Sequence, residues 1–485
     1  MLSRRETMSA LGALPLAGAL SPGELYAQAA ARLPVRTLGR TGFPVVPYAL
    51  GGIGSIRAPG QGVDPADIIV RAVQLGLNYL DTANVYGPSQ VNYGEAFRRM
   101  HLIPSNTGYN AAMRSRLWLA SKTAARYTLN PPTPQAQPGR GPARPPQTAI
   151  DDLKRTMTQI FGDGQGFVPE GAYLDCMQIH DLRNLASVDQ VYEGLADRGA
   201  GRRPERMGAL AGLLDYRDGT NYTGQNPEHR IWIRHIGVTS HANSGYLMKA
   251  LRMDTQDIFD TVLMALNAND RRYDSMQNNA LPLAVAKGMG VITMKIMADG
   301  VMWGGPKRFL SRPEDVITSL GKPDSVDFGE LIRYPLSFPG VTCAIVGIGK
   351  INREKPEQDQ LVANLAASQM DLPGPAERLR TEERVADRVG KDTNFFQESR
   401  AAIIQPAEVT SSKDGDRLVV EWNTAMAGAD ALRSYEIRAG SKLLASLPFR
   451  PQLTEAPLRA SVAASDAGDA PITVVASTDA PKRVA

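Results

Sequence analysis

Short apolar stretches alternate with helix-like stretches along most of the chain. The apolar stretches are VPYALGG, NYLDT, LWLASKT, CMQIHD, RHIGVTSH, DTVLMALN, VITMKIM and CAIVGIG. Polar residues do not alternate regularly within them, which is typical of parallel strands that are buried on both faces. Eight strand–helix units predict an α/β fold, a closed (β/α)8 TIM barrel, rather than an open doubly wound sheet. Residues 36–46 predict a small β-hairpin that precedes the first barrel strand.

The stretches between these strands have helix-like periodicity. The clearest one follows the first strand, in DPADIIVRAVQLG, where Asp64 is a good N-cap and Pro65 suits the first helical position. The helix of the fourth unit is predicted near residues 187–195. The barrel domain as a whole is predicted over residues 33–375.

Three long stretches interrupt the barrel pattern, at residues 127–147, 199–230 and 298–327. The first and third follow strands three and seven, on the side where a barrel has its active site, so we expect them to shape a substrate pocket. The second is predicted as a loop between helix four and strand five. Arginines in or beside these loops suit an anionic or polyhydroxylated ligand, although solvated loop arginines are the simpler interpretation; they are Arg126, Arg140, Arg144 and Arg308.

The strand–helix rhythm stops after Met370. Residues 376–404 are highly charged and predict a helical linker. Residues 405–485 contain six strand-like stretches broken by turns, and Trp422 faces inward in an alternating strand, which predicts a small all-β sandwich. This region resembles a fibronectin type III module. A β-rich extension of the barrel without a core of its own is the alternative.

The amino terminus looks like an export signal. Two arginines at positions 4 and 5 precede an uncharged stretch, residues 8–20, that is too short to span a bilayer, and Ala27-Gln28-Ala29 offers a small-x-small cleavage site. Residues 1–29 therefore resemble a twin-arginine signal peptide, with a chance arginine pair as the alternative. We expect a mature chain without a membrane span, in the periplasm or secreted.

Composition excludes some classes of function. The chain has 485 residues, of which 43% are hydrophobic and 21% charged, and its net charge is only +4. The basic residues are scattered, so nothing favours binding to nucleic acid. The two cysteines, Cys176 and Cys343, belong to predicted strands four and eight, which are too far apart across a barrel for a disulfide. We expect two buried free thiols.

Four ionisable residues of four kinds lie at or just past the ends of three consecutive predicted strands. They are Asp81, Tyr86, Lys122 and His180. Each one alone is explained by packing or by a loop hydrogen bond, but all four converge on one barrel mouth. A tyrosine has an unperturbed pKa of about 10, and a neighbouring ammonium favours its phenolate form. We therefore predict Tyr86 as a general acid or base tuned by Lys122 and Asp81, with His180 orienting a substrate oxygen. The sequence has no clustered metal-ligand spacing and no activated Ser or Cys nucleophile, so no metal site is expected.

The motifs LDTANVYG, LASKT, QIHD, IGVTS and IVGIG…QLVANLAA resemble the aldo/keto reductase superfamily, in register over residues 36–368. This resemblance implies that Asp81, Tyr86, Lys122 and His180 correspond to the catalytic tetrad of the family. It also implies the cofactor NADP(H).

The resemblance further implies a set of cofactor-binding residues: Thr239, Ser240, Asn267, Lys295, Gly347, Ile348, Gly349, Lys350, Gln360 and Asn364. Thr239 and Ser240 stand where the family usually has a Ser-Asn pair for the nicotinamide carboxamide. Leu263 and Leu266 replace the usual glutamine and stacking tyrosine of strand six. Each cofactor residue alone is also explained by loop architecture or a solvated charge.

The expected function is that of an exported NADP(H)-dependent oxidoreductase that interconverts a small-molecule carbonyl and an alcohol. One alternative is a redox-neutral epimerase or lyase that keeps a tightly bound NADP. Another is a non-catalytic barrel that serves as a binding module at the cell surface. In each case the C-terminal sandwich is a candidate for contact with a surface or a polysaccharide.

Overall fold

The structure is a computed structural model that describes residues 33–132, 147–273, 275–298, 327–349, 351–389 and 402–482. The signal peptide, Arg140, Arg144, Arg308, Lys350 and most of the predicted loops 127–147 and 298–327 lie outside these residues. Of the helices in the described ranges, none combines the length and the apolar character needed to cross a membrane.

A closed barrel of eight parallel strands forms the larger part of the molecule. In chain order the strands are β1 (Arg36–Thr37), β2 (Pro44–Val45), β3 (Tyr48–Gly54), β4 (Tyr79–Asp81), β5 (Trp118–Thr123), β6 (Tyr127–Leu129), β7 (Leu174–Ile179), β8 (Met207–Gly208), β9 (Ile233–Ser240), β10 (Phe259–Ala265), β11 (Gly290–Met294) and β12 (Val341–Ile348). The barrel order is β3-β4-β5-β7-β9-β10-β11-β12, and the ring closes from β12 to β3. These are the eight strands that the sequence predicts, so the barrel is confirmed.

The helices of this part are α1 (Pro65–Gln74), α2 (Ser89–Arg99), α3 (Ala111–Arg114), α4 (Ala149–Phe161), α5 (Leu185–Tyr192), α6 (Leu195–Gly199), α7 (Ala209–Asp218), α8 (Ser244–Met253), α9 (Ala280–Ala286), α10 (Phe328–Leu336), α11 (Gln360–Ser368) and α12 (Pro375–Val389). Helix α1 begins as predicted, because the Asp64 side chain accepts a hydrogen bond from the Ala66 amide at 2.9 Å and Pro65 takes the first position. Its buried face includes Ile68, Ile69 and Val73.

The hairpin β1–β2 lies at the amino-terminal end of the barrel strands. Its Leu38 and Val45 join a buried cluster with Tyr79, Trp118 and other residues of the barrel interior. The Arg36 guanidinium also donates hydrogen bonds to the carbonyl of residue 336, the last of α10, and to that of residue 341, the first of β12. The hairpin therefore covers the end of the barrel that is opposite to the carboxyl ends of the strands.

The predicted loop 199–230 is wrong, because this stretch contains β8 and α7. Helix α7 packs between α4, α5 and β9, in the position expected for the fourth barrel helix. Its residues 209–216 are all buried, so its sequence lacks the one-sided pattern that identifies a surface helix. The helix predicted near residues 187–195 exists as α5, but it belongs to the connection that leads to α7.

The C-terminal residues form two three-stranded antiparallel sheets. They are built from β13 (Ala407–Asp414), β14 (Arg417–Asn423), β15 (Ser434–Ala439), β16 (Lys442–Pro448), β17 (Leu458–Ala463) and β18 (Ile472–Ser477), in the orders β13-β14-β17 and β16-β15-β18. The two sheets share a hydrophobic core in which the rings of Trp422 and Tyr435 meet edge to face at 5.5 Å. A core of their own confirms the predicted all-β unit. The fibronectin type III resemblance stays a prediction.

The all-β unit makes direct hydrogen bonds to the barrel. Its loop between β14 and β15 lies against the segment after β10, where Asn278 and Asn279 donate hydrogen bonds to the carbonyls of residues 427–429. Arg271 from the same segment binds Asp430, and it also binds Glu382 of helix α12. The charged linker thus begins as a helix that packs on the barrel, as predicted.

Candidate active site

The four predicted catalytic residues lie at the carboxyl ends of three adjacent barrel strands. Asp81 is the last residue of β4, Lys122 is the fifth of the six residues of β5, and His180 follows β7 directly. Tyr86 lies in the turn between β4 and α2 and is 8% exposed. Because β4, β5 and β7 are neighbours in the barrel, their carboxyl ends bring these residues together.

Lys122 and Asp81 form a buried ion pair. The Lys122 ammonium donates hydrogen bonds to Asp81 Oδ2 at 2.6 Å and to the Thr82 carbonyl at 2.8 Å. Both side chains are 1% exposed. The ammonium also lies 4.9 Å from the centre of the Tyr86 ring. Asp81 therefore fixes the lysine beside the phenol, which is the arrangement that the sequence predicts.

Burial sets the electrostatics of this pair. It raises the pKa of the Asp81 carboxyl, and the Lys122 ammonium opposes that rise. It lowers the pKa of Lys122, and the Asp81 carboxylate opposes that fall. Each charge is thus held by the other, and removing either one leaves a buried charge without compensation.

A polar network behind the pair fixes the turn that carries Tyr86. The Asn84 side-chain amide donates to the Lys122 carbonyl at 3.2 Å and to the Asp152 carbonyl at 3.0 Å. The Thr82 and Ser89 hydroxyls are 2.8 Å apart. Since these groups are buried, their hydrogen bonds hold the turn rigidly against β5 and α4.

His180 contacts Tyr86 edge to face, with ring centres 5.9 Å apart and planes at 83°. Burial lowers the pKa of His180 well below its ordinary value, and the nearby charge of Lys122 lowers it further. The imidazole is therefore neutral near pH 7, with one nitrogen that donates and one that accepts. A neutral imidazole beside a phenol suits a site that binds the oxygen of a carbonyl or an alcohol.

Asp181 follows His180 in a left-handed backbone conformation, with φ of 54°. Its amide donates to Thr239 Oγ1 at 2.7 Å, and its carbonyl accepts from Arg126 Nη2 at 2.7 Å. Its Oδ1 accepts from the His241 amide at 3.2 Å and lies 2.7 Å from His241 Nδ1. This strained residue is therefore held from three neighbouring segments, and it fixes the backbone beside His180.

Sequence reasoning missed Asp181 and His241 as parts of the site, and it named Arg126 only as an arginine that suits an anionic ligand or, more simply, is solvated. The first two stand in the motifs QIHD and RHIGVTSH, where the position of each within two residues after a strand was the available signal. Arg126 was interpreted as a solvated loop arginine. That interpretation is wrong, because Arg126 is half-buried and bonded to Asp181.

The predicted nicotinamide-binding residues are buried and bonded to the protein. Thr239 and Ser240 are both fully buried at the end of β9. Thr239 Oγ1 accepts a hydrogen bond from the Asp181 amide, and the Ser240 hydroxyl donates one to the Leu182 carbonyl at 3.3 Å. Leu263 and Leu266 are also fully buried, so neither presents a surface on which a ring stacks.

Asn267 and Lys295 lie together at the ends of β10 and β11. The Asn267 amide donates to the Lys295 carbonyl at 3.2 Å, and Asn267 Oδ1 accepts from the Asn269 amide at 2.9 Å. Lys295 is half-exposed in a left-handed conformation, and its charge, like that of Lys122, opposes the rise that burial causes in the pKa of Asp81. Lys295 is thus a cation at the barrel mouth, while Asn267 is a support for its backbone.

The remaining predicted cofactor residues lie around the end of β12. Gly347 is exposed, whereas Ile348 and Gly349 are buried. Gln360 accepts a hydrogen bond from the Gly349 amide at 2.8 Å, and Asn364 donates to the Tyr48 hydroxyl at 3.1 Å. These two side chains therefore serve the fold in this structure.

These positions fit a dinucleotide only in part. The half-exposed Lys295 and the bare backbone at Gly347 suit a phosphate group. At the expected nicotinamide and adenosine positions, Thr239, Ser240, Gln360 and Asn364 use their polar groups within the protein. No group of three or more metal-ligating side chains occurs within the described ranges. Cys176 and Cys343 are both free and buried, as expected.

Comparisons with known proteins add a distant likeness in structure. No family model matches the chain, and no curated protein matches it. A putative aldo-keto reductase from Pseudomonas aeruginosa superposes with 19% identity and a TM-score of 0.41, covering 69% of this chain and 94% of its own. An aldo-keto reductase from Bacillus halodurans, in its holo form, superposes with 17% identity and a TM-score of 0.41, covering 73% of this chain and 96% of its own. At these values the likeness carries no argument about the activity of this chain.

Proposed function

We propose that the barrel is an oxidoreductase that interconverts a carbonyl and an alcohol, with Tyr86 as the proton donor and acceptor. The observation that carries this proposal is the Lys122–Asp81 ion pair, whose ammonium lies 4.9 Å from the Tyr86 ring centre, beside His180. Reduction of a carbonyl places negative charge on its oxygen, and a proton must reach that oxygen. A phenol next to an ammonium is suited to give it.

The proton transfer follows from the roles of the four side chains. His180, neutral near pH 7, donates a hydrogen bond to the substrate oxygen and fixes its position. Tyr86 gives its proton to that oxygen, and the Lys122 ammonium stabilises the phenolate that remains. In the reverse direction the phenolate takes the proton from the alcohol. Asp81 keeps the ammonium in place throughout.

When bound, a nicotinamide dinucleotide supplies the hydride that this reaction needs, and we propose NADP(H) in that role. Lys295 and the backbone at Gly347 would hold its phosphates. The protein's own part is to orient the substrate oxygen, to move the proton and to keep the Lys122–Asp81 pair out of water.

We further propose that the protein acts after export, in the periplasm or outside the cell. The twin-arginine-like sequence supports this, and such a signal suits a protein that folds around a bound group before transport. A redox-neutral reaction, in which one substrate is oxidised and then reduced again, fits a compartment without a supply of NADPH. A non-catalytic binding module remains the second candidate, because the C-terminal sheets offer a surface for a partner.

The decisive experiment compares wild type with Tyr86→Phe for NADPH oxidation with a panel of aldehydes and ketones. Tyr86→Phe removes the transferable proton and keeps the ring, so it should lower kcat by a factor of about 10²–10⁴. The matched control is Tyr109→Phe, since Tyr109 lies before α3 and away from the barrel mouth. Equal rates in wild type and Tyr86→Phe would remove the basis of the proposal. Mass spectrometry of the native protein tests the bound NADP that the redox-neutral alternative requires.

A further inference from the structure

Arg126 has an unusual environment at the barrel mouth. It follows β5 by three residues and is half-buried, and its Nη2 donates to the Asp181 carbonyl at 2.7 Å. Its Nη1 is buried, and no residue in the described ranges accepts a hydrogen bond from it. A buried charged donor without an acceptor is costly in free energy. The Arg126 guanidinium can therefore donate a further hydrogen bond, through Nη1, to a ligand.

The nearest carboxylate does not neutralise Arg126. Asp181 pairs through Oδ2 with Arg183 and through Oδ1 with His241, and it offers Arg126 only its backbone carbonyl. Burial lowers the pKa of Arg126 to about 10, so the side chain is still positively charged near pH 7. Within the described ranges, no carboxylate is therefore hydrogen-bonded to this charge at the barrel mouth.

The position of Arg126 places it on the substrate side of the site. Its guanidinium is bonded to the carbonyl of Asp181, the residue directly after His180, so Arg126 and His180 lie at the carboxyl ends of the adjacent strands β5 and β7. In the barrel order, β5 is four strands from β11 in either direction, so Arg126 lies across the mouth from Lys295. An anion at Arg126 is therefore distinct from the phosphates that Lys295 would hold.

We propose that Arg126 binds a carboxylate of the substrate, beside the oxygen that His180 orients. A planar guanidinium matches a carboxylate in geometry as well as in charge, and Nη1 supplies the donor. The proposal rests on the proposed function and makes it more specific: the substrate is an oxo acid, or the corresponding hydroxy acid.

Binding tests the proposal without turnover. Calorimetry would compare benzoate with benzamide, which have the same ring and differ in charge, on full-length wild type, Arg126→Gln and Arg126→Lys. Wild type should bind benzoate at least about tenfold more tightly than benzamide. Arg126→Gln should abolish that preference, and Arg126→Lys should keep part of it. The matched control, Arg459→Gln, changes an arginine of the all-β unit that is 63% exposed and should keep the full preference.

Two results would overturn the proposal: equal affinity of wild type for both ligands, or an undiminished preference in Arg126→Gln. If Arg126→Gln does not fold, Arg126→Lys decides alone, because it keeps the charge but loses the planar fork. A turnover measurement with 4-carboxybenzaldehyde and its methyl ester separates this proposal from the function. Loss of Arg126 should raise KM for the acid by a clearly larger factor than KM for the ester, because only the acid offers a carboxylate to the guanidinium. If wild type reduces neither aldehyde yet prefers benzoate, the proposed function fails while the carboxylate site stands.

Discussion

Asn279 and Ala427 exchange two hydrogen bonds across the boundary between the barrel and the all-β unit. The Asn279 amide donates to the Ala427 carbonyl at 3.1 Å, and its Oδ1 accepts from the Ala427 amide at 2.7 Å. Both residues are buried. Asn279 belongs to the segment that follows β10 at the carboxyl end of the barrel. The all-β unit is therefore part of the structure that supports the face of the barrel at the carboxyl ends of its strands.

Replacing Asn279 with alanine should lower the free energy of unfolding by about 2–3 kcal/mol. The variant leaves both the amide and the carbonyl of Ala427 buried without their partner, and each costs roughly 1–3 kcal/mol. Urea denaturation of the full chain measures this change. We also expect Trp422 fluorescence and the far-UV signal to report one common transition in wild type, because the interface couples the two parts.

The matched control for that experiment is Asn352→Ala. Asn352 is a half-exposed residue whose side chain, among the described residues, is hydrogen-bonded within its own loop, to Lys355 and Gln358. Its loss should change stability by less than about 1 kcal/mol. An Asn279→Ala variant as stable as this control would show that the interface bonds do not contribute to stability.

The Lys122–Asp81 pair predicts non-additive effects on stability. Lys122→Met and Asp81→Asn each leave one buried charge unpaired, so each should destabilise the fold by about 3–5 kcal/mol. The double variant carries no charge there, and its loss should be clearly smaller than the sum of the two. Denaturation of the four proteins measures the coupling. Lys154→Met, on an exposed position of α4, is the control for loss of a lysine.

For the double variant of Lys122 and Asp81, we expect activity to behave differently from stability. The double variant regains stability but has no ammonium beside Tyr86, so its kcat should stay lower than wild type by a factor of about 10² or more. If activity recovered together with stability, Lys122 would be a structural residue rather than one that tunes Tyr86.

His180 predicts a pH dependence of stability. Its pKa in the folded protein lies well below the ordinary value of about 6.5 that it has in the unfolded chain. Between these two values the unfolded state binds more protons, so this stabilising contribution is complete above about pH 6.5 and is lost as the pH falls. The free energy of unfolding at about pH 7.5 and pH 5 should therefore differ more in wild type than in His180→Gln. His101→Asn, at an exposed position whose φ of 55° asparagine tolerates, should keep the wild-type difference.

The strands and the positions of the four candidate catalytic residues could be predicted from the sequence because their signals are local. Each barrel strand is a continuous apolar stretch, and Asp81, Lys122 and His180 stand at the strand ends. Helix α7 could not be predicted in this way, because it is buried on nearly all sides and has no polar face. Its residues look the same as any apolar stretch in a long connection.

The contacts of Arg126 and Asn279 depend on distant partners. Arg126 binds a carbonyl 55 residues away, and Asn279 binds a backbone 148 residues away. No spacing pattern in the sequence records such contacts, so Arg126 looked like a solvated arginine. For the predicted cofactor residues, a local sequence signal is present but the structure gives the side chains other partners. Their motif positions match, yet Gln360 and Asn364 are already bonded to Gly349 and Tyr48.

Three substitutions at Asp181 should differ in kcat and in stability. Its left-handed backbone is costly for alanine, and its carboxylate holds His241 and Arg183. Asp181→Ala keeps the strain and loses the carboxylate, so it should displace the backbone of His180 and lower kcat by about tenfold or more. Asp181→Asn tolerates the left-handed conformation and keeps an acceptor at Oδ1, so it should retain most of kcat. Asp181→Gly removes the backbone strain but also lacks the carboxylate. Its kcat should therefore be as low as that of Asp181→Ala, while its stability should be higher. Steady-state kinetics together with thermal denaturation separate these effects, and an alanine variant with wild-type kcat would show that Asp181 does not position His180.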